Sequence, residues 1–341
     1  MINTLTSLRL FFALLVLVSH LEIMNKCFAK HLFLEGYVGV SFFFILSGFI
    51  IAYNYTDKVS TRDNKKDYYI ARIARIYPLH LLTLFIAFFI SELPIDKLST
   101  WIKLVTSATL TNAYIPRSDF FFALNAPAWS LCCEQLFYFA FPLIATITKS
   151  RRNIITILGI YTAIIIIGAQ ITPEEYAKGI WYVNPITRFP DFIIGIATYH
   201  IYNRIKGWNS GKWKATALEA GTLALFAIFY IYAEDVPRIF RYNIYYWLPI
   251  AAIIVTFALQ KGFLSTILSQ KVFIIGGEIS FGIYLIHLFI VNAMGKHCQE
   301  LDAITGTTIA VSTTVVASYI SYKFVEKPAN KAVKKLLKYK K

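Results

Sequence analysis

Two ionisable residues, Arg9 and His20, stand eleven positions apart in the first apolar segment of the chain. Eleven residues make about three turns of an α-helix, so both side chains project from the same face, about 16 Å apart along the axis. A guanidinium suits an anionic group such as a phosphate, and a neutral imidazole suits removal of a proton from a hydroxyl. The spacing therefore predicts an anion site at one end of this helix and acid–base chemistry further along it. The structural alternative is an arginine at a helix end and a histidine at a membrane interface.

A second segment rich in reactive side chains runs from Trp129 to Tyr138. Glu134 lies about a turn and a half after Trp129, and Tyr138 shares its helix face one turn later. We expect Glu134 at the depth of His20, where a carboxylate either orients the imidazole or binds an acceptor hydroxyl. The structural alternative is an ion pair between Glu134 and Arg188.

Two more polar sets fall within apolar segments. Arg188 and Asp191 are three residues apart at the start of one segment. Ser280, Tyr284 and His287 recur at helical spacing in another. Ionisable and polar groups inside membrane spans are costly and face protein or a cavity rather than lipid. We therefore expect both sets to point into the interior of a helix bundle.

Two further segments suit contact with a phosphorylated, extended ligand. Ser47 and Gly48 belong to the segment 36–50. Its glycines and serines permit close helix packing or leave a slot for an acyl–pantetheine arm. Arg72 and Arg75 are three residues apart in the basic loop that follows. Two explanations fit these arginines equally well. They follow the excess of positive charge in cytoplasmic loops, or they bind phosphate, and the residues alone leave both uses open.

The elements that carry these residues are predicted to be membrane-spanning helices. The chain has 341 residues, of which 57% are hydrophobic and 16% charged. The apolar excess falls in runs of about 17–22 residues, which is long enough to cross a bilayer. We predict an all-α, polytopic integral membrane protein of about ten transmembrane helices. The predicted spans are 7–24, 37–55, 76–91, 128–148, 153–171, 185–204, 215–233, 243–260, 272–294 and 304–323.

The distribution of charge predicts the orientation. The chain carries 34 Lys and Arg against 19 Asp and Glu, a net charge of +15. Most of the basic residues fall in loops and a tail on the side of the N-terminus, and short cytoplasmic loops collect Lys and Arg. Both termini are therefore predicted in the cytoplasm, and the charge requires no nucleic-acid partner. We divide the chain into a membrane domain, 1–330, and a basic cytoplasmic tail, 331–341, which either touches anionic membrane lipid or recruits a partner.

The four cysteines, Cys27, Cys132, Cys133 and Cys298, lack the spacing of metal ligands, and no metal is expected. Cys132 and Cys133 sit in an apolar span and are predicted to be small buried hydrophobic residues. Cys27 and Cys298 lie near the predicted outer ends of helices, and the sequence leaves open whether they pair.

The order of these motifs resembles the membrane acyltransferase 3 family over nearly the whole chain, from Ser7 to Pro328. Two positions depart from the family pattern, because Phe281 and His80 stand where tyrosines are common. Neither is among the predicted catalytic residues. The matching motifs are Arg9 with His20, the FFILSGF segment from Phe43 to Phe49, the basic segment from Arg72 to Pro78, Trp129-Ser130-Leu131 with Glu134 and Phe137-Tyr138, Ser280-Phe281 with Tyr284-Leu285-Ile286-His287, and Glu326 with Pro328.

The resemblance implies an acyltransferase of the bacterial cytoplasmic (inner) membrane. Such an enzyme moves an acyl group, usually acetyl, from cytoplasmic acetyl-CoA to a hydroxyl of a cell-surface or secreted glycan, such as lipopolysaccharide O-antigen or exopolysaccharide. Acetyl-CoA is then a co-substrate, and the acceptor is a glycan or a lipid-linked sugar.

On this interpretation His20 is the general base and acts with Glu134 and Arg9, either in direct transfer or through an acyl-histidine. The residues assigned to the donor are Arg72, Arg75, Ser47 and Gly48. The residues assigned to substrate contact are Trp129, Tyr138, Arg188, Asp191, Ser280, Tyr284 and His287. The alternative function is a transporter or flippase of a glycan or anionic lipid, with the same charges as its pathway. The lack of an inverted repeat in the sequence argues against a transporter.

Overall fold

The computed structural model describes residues 2–21, 35–59, 61–209, 211–298 and 300–338. Within these ranges the chain is helical and contains no strand, in agreement with the predicted all-α class. The principal helices are α1 (Asn3–His20), α2 (Val38–Tyr55), α3 (Arg62–Ile90), α4 (Leu98–Ala108), α5 (Trp129–Ile144), α6 (Arg151–Ile171), α7 (Pro185–Ile205), α8 (Lys212–Ile231), α9 (Trp247–Ala258), α10 (Phe263–Leu268), α11 (Lys271–His297), α12 (Ala303–Ser321) and α13 (Lys327–Lys338). Shorter helical turns lie at Asn112–Tyr114, Ser118–Phe121, Ala126–Ala128, Ile147–Lys149, Glu174–Ala177, Lys178–Val183, Ala233–Asp235, Arg238–Tyr242, Ile244–Tyr246 and Tyr322–Glu326.

Each of the predicted spans overlaps one of these helices. Among the described residues, 7 helical segments are long and apolar enough to cross a membrane, namely α1, α2, α3, α6, α8, α11 and the stretch Ala303–Leu337. The other three predicted spans correspond to α5 and α9, with 16 and 12 residues, and to α7, which carries Arg188 and Asp191. Several apolar helices therefore support a multi-pass membrane protein, whereas the number ten and the sides of the termini stay predictions.

The third predicted span begins much earlier in the structure. The stretch before residue 76 was predicted to be a loop, but α3 already starts at Arg62 and continues past Pro78. The Thr61 side chain caps its first turn by accepting a backbone N–H hydrogen bond at 3.3 Å. The loop prediction was wrong because charged residues lower hydropathy without lowering helix propensity. Arg72 and Arg75 consequently stand on a regular helix, one turn apart.

Glycines bring the central helices into close contact. α1 packs along α11, and α2 packs along α7. A Cβ on Gly277 of α11 would overlap the backbone of Thr6 in α1, and a Cβ on Gly48 of α2 would overlap the Phe192 carbonyl oxygen in α7. Gly195 of α7 meets α2 equally closely. Gly48 is therefore a helix-packing residue, and its contact with the donor stays a prediction.

The cysteines of α5 are buried, as predicted. Cys132 and Cys133 have no exposed surface. The Cys132 Sγ lies 3.0 Å from the Asn112 Oδ1, and the Cys133 Sγ lies 3.5 Å from the Val183 carbonyl oxygen. The question of a Cys27–Cys298 pair falls outside the described residues, because Cys27 does.

Candidate active site

Two neighbouring cavities lie along α1. The larger, of about 660 Å³, is lined by Arg9 in the first half of this helix, and the smaller, of about 230 Å³, is lined by His20 at its end. We call them the arginine cavity and the histidine cavity. Val40 of α2 and Tyr284 of α11 line both, so these two side chains stand at the junction. One helix thus presents Arg9 and His20 to adjoining cavities, as their spacing predicts.

Arg72 of α3 lines the arginine cavity within a shell of tyrosines. Its guanidinium carbon lies 5.3 Å from the centre of the Tyr55 ring and 5.5 Å from that of Tyr138. Its Nη2 donates a hydrogen bond to the Tyr55 hydroxyl at 3.3 Å. Cation–π contacts hold a guanidinium in place without neutralising it. Arg72 therefore keeps its positive charge for an anionic ligand.

Arg75, one turn further along α3, lines the same cavity and is partly compensated by an acid. Its Nη1 lies 3.7 Å from the Glu326 Oε2. Its guanidinium lies 5.2 Å from the centre of the Phe281 ring. Phe281 is a position at which the sequence departs from the family pattern, and here its ring gives Arg75 a surface to lie against. Together with Arg9, these arginines make the cavity cationic.

Glu134 of α5 also lines the arginine cavity, where its Oε2 accepts a hydrogen bond from the Tyr138 hydroxyl at 2.7 Å. His20 lines the other cavity and Glu134 does not, so the role of this carboxylate in orienting the imidazole stays a prediction. Glu134 lies five residues after Trp129, which is about 7.5 Å further along the helix. That rise carries the carboxylate beyond the junction, whereas Trp129 lines the histidine cavity.

Smaller polar side chains complete the arginine cavity. Ser47 of α2 and Ser280 of α11 both line it, and the Ser280 hydroxyl donates to the Gly277 carbonyl oxygen at 2.8 Å. Within the described ranges, no group of three or more His, Cys, Asp and Glu side chains is placed to hold a metal ion.

Two imidazoles stand side by side in the histidine cavity. The ring centroids of His20 and His287 are 5.0 Å apart. The His20 Nδ1 lies 2.8 Å from the Val16 carbonyl oxygen, and the His287 Nδ1 lies 2.7 Å from that of Tyr284. Because a carbonyl oxygen only accepts hydrogen bonds, Nδ1 carries the proton in each neutral ring and Nε2 keeps its lone pair. His287 is 1% exposed, and its Nε2 has no hydrogen-bond partner among the described residues.

Aromatic side chains form much of the remaining wall of the histidine cavity. The Tyr182 ring lies 4.6 Å from that of Trp129 and 4.9 Å from that of Tyr242, measured between centroids. All three line the cavity together with Tyr37, and Lys178 adds a cation. A largely apolar wall with a few convergent polar groups is typical of sites for small molecules.

Arg188 and Asp191 line neither cavity. Both are fully buried, and they pair with each other at 2.7 Å between Nη2 and Oδ2. The Arg188 Nη2 also donates to the Ser41 hydroxyl at 2.8 Å, and the Trp247 Nε1 donates to the Asp191 Oδ1 at 2.5 Å. The pair thus joins α7 to α2 and α9. Its predicted contact with substrate stays a prediction. The alternative ion pair with Glu134 is not formed among the described residues, because Arg188 pairs with Asp191, three residues further along its own helix.

Some cavity residues were not found from the sequence. Glu278 lines the arginine cavity and accepts a hydrogen bond from the Tyr322 hydroxyl at 2.5 Å. An acid within an apolar segment was the available signal for it. Tyr37 and Tyr182 carry no charge and sit at the ends of predicted elements, so no pattern marked them. Lys334 was assigned to the tail, yet it lines the arginine cavity.

The chain is similar over most of its length to known acyltransferases. A family model described as an acyltransferase domain matches residues 2–323. The chain is 30% identical to "Acyltransferase MdmB" of Streptomyces mycarofaciens, over 85% of this chain and 79% of that protein. It is 24% identical to "Putative peptidoglycan O-acetyltransferase YrhL" of Bacillus subtilis, over 86% of this chain and 50% of that protein. It is also 24% identical to "Peptidoglycan O-acetyltransferase OatA" of Listeria monocytogenes, over 87% and 51%, so it spans about half the length of the last two relatives. No solved structure matches the chain.

Proposed function

Because this chain belongs to the acyltransferase 3 family, we propose that it is an O-acetyltransferase that carries an acetyl group across a bacterial cytoplasmic membrane. The donor is cytoplasmic acetyl-CoA, and the acceptor is a hydroxyl of a cell-surface or secreted glycan or of a lipid-linked sugar. The observation that carries the proposal is the meeting of a cationic cavity and a two-histidine cavity at Val40 and Tyr284. Such a junction lets a donor and an acceptor approach from opposite sides.

The arginine cavity binds the donor in this proposal. Coenzyme A presents phosphates, and guanidinium groups bind phosphate oxygens through charge-assisted hydrogen bonds. Arg72 and Arg75 take this role with Arg9. The thin pantetheine arm then passes Ser47, and its thioester reaches Tyr284 at the junction. The excess of basic residues in the adjacent loops supports a cytoplasmic position for this cavity.

The histidine cavity binds the acceptor. The aromatic wall offers apolar faces to a sugar ring, and the acceptor hydroxyl approaches the His20 Nε2. This nitrogen takes the hydroxyl proton as the oxygen attacks the thioester carbonyl, and the departing thiolate of coenzyme A takes the proton back. The hydrogen bond from Nδ1 to the Val16 carbonyl stabilises the transient imidazolium. In the acyl-histidine variant the same Nε2 attacks the thioester carbonyl and the thiolate of coenzyme A leaves. The acceptor hydroxyl then attacks the acetyl carbonyl, the bond to Nε2 breaks, and the hydroxyl proton passes to the thiolate.

Two relatives support a glycan acceptor, because their names describe peptidoglycan O-acetyltransferases. Lipopolysaccharide and exopolysaccharide are the acceptors that the family resemblance favours. Each of these three glycans presents sugar hydroxyls on the outer side of the membrane, and the separation of the two cavities is consistent with any of them.

The test is transfer of radiolabelled acetyl from acetyl-CoA in inverted membrane vesicles, whose cytoplasmic face is outward. We expect label in the glycan fraction with the wild-type protein and its loss with His20→Ala, while the variant stays inserted and still binds acetyl-CoA. Full transfer by this variant would overturn the role of His20. No label from inserted wild-type protein, supplied with the glycans of its own host, would overturn the enzyme and favour a transporter.

A further inference from the structure

The C-terminal helix α13 carries more lysines than any other helix described here, in the sequence KPANKAVKKLLK. Lys327, Lys331 and Lys334 follow at intervals of four and three residues and so share one face. Val333 and Leu337 follow Asn330 and Lys334 by three residues, so this side of the helix also carries apolar side chains. Amphipathic helices of this kind commonly lie on a membrane surface, which agrees with the lipid contact predicted for the tail.

The structure, however, docks α13 on α3 beside the arginine cavity. The Asn330 Nδ2 donates a hydrogen bond to the Ala74 carbonyl oxygen at 2.9 Å, and Ala74 lies between the two arginines of α3. One turn before Asn330, Glu326 pairs with Arg75 at 3.7 Å. These two contacts fix the start of α13 against the segment that supplies the cationic residues of the cavity.

Lys334 extends this docking face by one more turn. It lies four residues after Asn330, on the same side of the helix, and both residues line the arginine cavity. Its neighbour Lys335 is exposed and does not line the cavity. Within the described ranges, no carboxylate forms an ion pair with Lys334.

The balance of charge in the cavity leaves room for another cation. Glu326 partly compensates the charge of Arg75 through their ion pair. Glu134 and Glu278 add two acidic side chains to the cavity lining. A coenzyme A thioester carries several negative charges on its phosphates. An ammonium on a flexible stem is a compact charge that suits a phosphate.

We propose that Lys334 binds a phosphate of the acyl donor, so that the C-terminal helix forms one wall of the donor site. The inference rests on the proposed function, because it names a further residue of the same donor cavity. An anionic lipid headgroup offers the same phosphate chemistry, and the experiment must separate the two sources.

The test is the dissociation constant of acetyl-CoA for the full chain in phosphatidylcholine nanodiscs. Loss of one charge-assisted hydrogen bond weakens binding by roughly tenfold, which is the change expected for Lys334→Ala. Lys335→Ala removes the same charge one residue away and is expected to bind as the wild type does. Lys334→Arg keeps a cation and should restore most of the affinity. Equal constants for Lys334→Ala and wild type would overturn the inference and leave the proposed function intact, whereas no binding by the wild type would overturn both.

Adding phosphatidylglycerol to the nanodiscs separates the lipid from the donor. If Lys334 serves the donor, the difference between Lys334→Ala and wild type persists in both kinds of disc. If it serves the lipid, the variant retains less phosphatidylglycerol during purification and binds acetyl-CoA as well as the wild type. The second result would overturn the inference.

Discussion

The imidazole rings of His20 and His287 lie side by side, with centroids 5.0 Å apart, although they belong to the first helix and the eleventh. The Nδ1–H of each ring donates a hydrogen bond to a backbone carbonyl oxygen of its own helix. The backbone therefore sets the orientation of both rings, and both rings line the same cavity. In the proposed mechanism the His20 Nε2 accepts the proton of the reacting hydroxyl, and the His287 Nε2 accepts a hydrogen bond from a second hydroxyl of the sugar.

This arrangement predicts different effects for the two histidines. His20→Ala is expected to lower kcat by about 10²–10⁴-fold, the usual contribution of a general base. His287→Ala is expected to raise the KM for the acceptor by about tenfold, because one hydrogen bond of about 1.5 kcal/mol is lost. Steady-state transfer assays with varied acceptor measure both. An equal loss of kcat in the two variants would contradict the division of roles.

Arg72→Lys is expected to weaken acetyl-CoA binding by about tenfold although the charge is kept. The arginine guanidinium lies over the Tyr55 and Tyr138 rings, and its planar fork of donors can bind phosphate through two hydrogen bonds. A lysine lacks this planar group. Arg62→Lys, at the exposed start of the same helix, is the matched control and should leave binding unchanged. Titration with acetyl-CoA decides the point, and unchanged affinity in Arg72→Lys would count against a phosphate contact.

Asp191→Ala is expected to destabilise the protein rather than to change substrate affinity. The substitution leaves the Arg188 guanidinium buried without its partner, which typically costs about 3–5 kcal/mol. Asp119→Ala is the control, since this aspartate pairs with Arg117 and Lys103 at the exposed surface and such pairs contribute little. Thermal unfolding in detergent should show a marked loss for the first variant alone. A normal unfolding temperature of Asp191→Ala with weakened acceptor binding would instead support a contact between Asp191 and the substrate.

Gly48→Ala tests the packing of α2 on α7. The added Cβ would overlap the Phe192 carbonyl oxygen, so the helices must separate and the yield of folded protein should fall. Gly221→Ala in α8 is the control, because nothing lies within 4 Å of its Cβ. That variant should be neutral or more stable by about 0.5–1 kcal/mol, as glycine is unfavourable within helices. Normal yield in Gly48→Ala with impaired acetyl-CoA binding would instead favour contact with the donor.

The sequence alone predicted those features that depend on local spacing. A separation of eleven positions places Arg9 and His20 on one helix face, whatever the rest of the chain does. A separation of three positions brings Arg72 and Arg75 together on one side of a helix, and the apolar runs are long enough for membrane helices. The family resemblance rested on the same local motifs and was confirmed by the match over residues 2–323.

Tertiary structure decided which helix faces meet. The depth of Glu134 relative to His20 depends on how α5 is set against α1, and the packed helices place the carboxylate in the arginine cavity and the imidazole in the histidine cavity. The sequence offered two acids as partners for Arg188, namely Glu134 on another helix and Asp191 on its own, and the structure shows the pair with Asp191. The contact of His287 with His20 and the position of Lys334 join distant parts of the chain. Spacing within one helix carries no information about the helix beside it, so these relationships follow only from the packed structure.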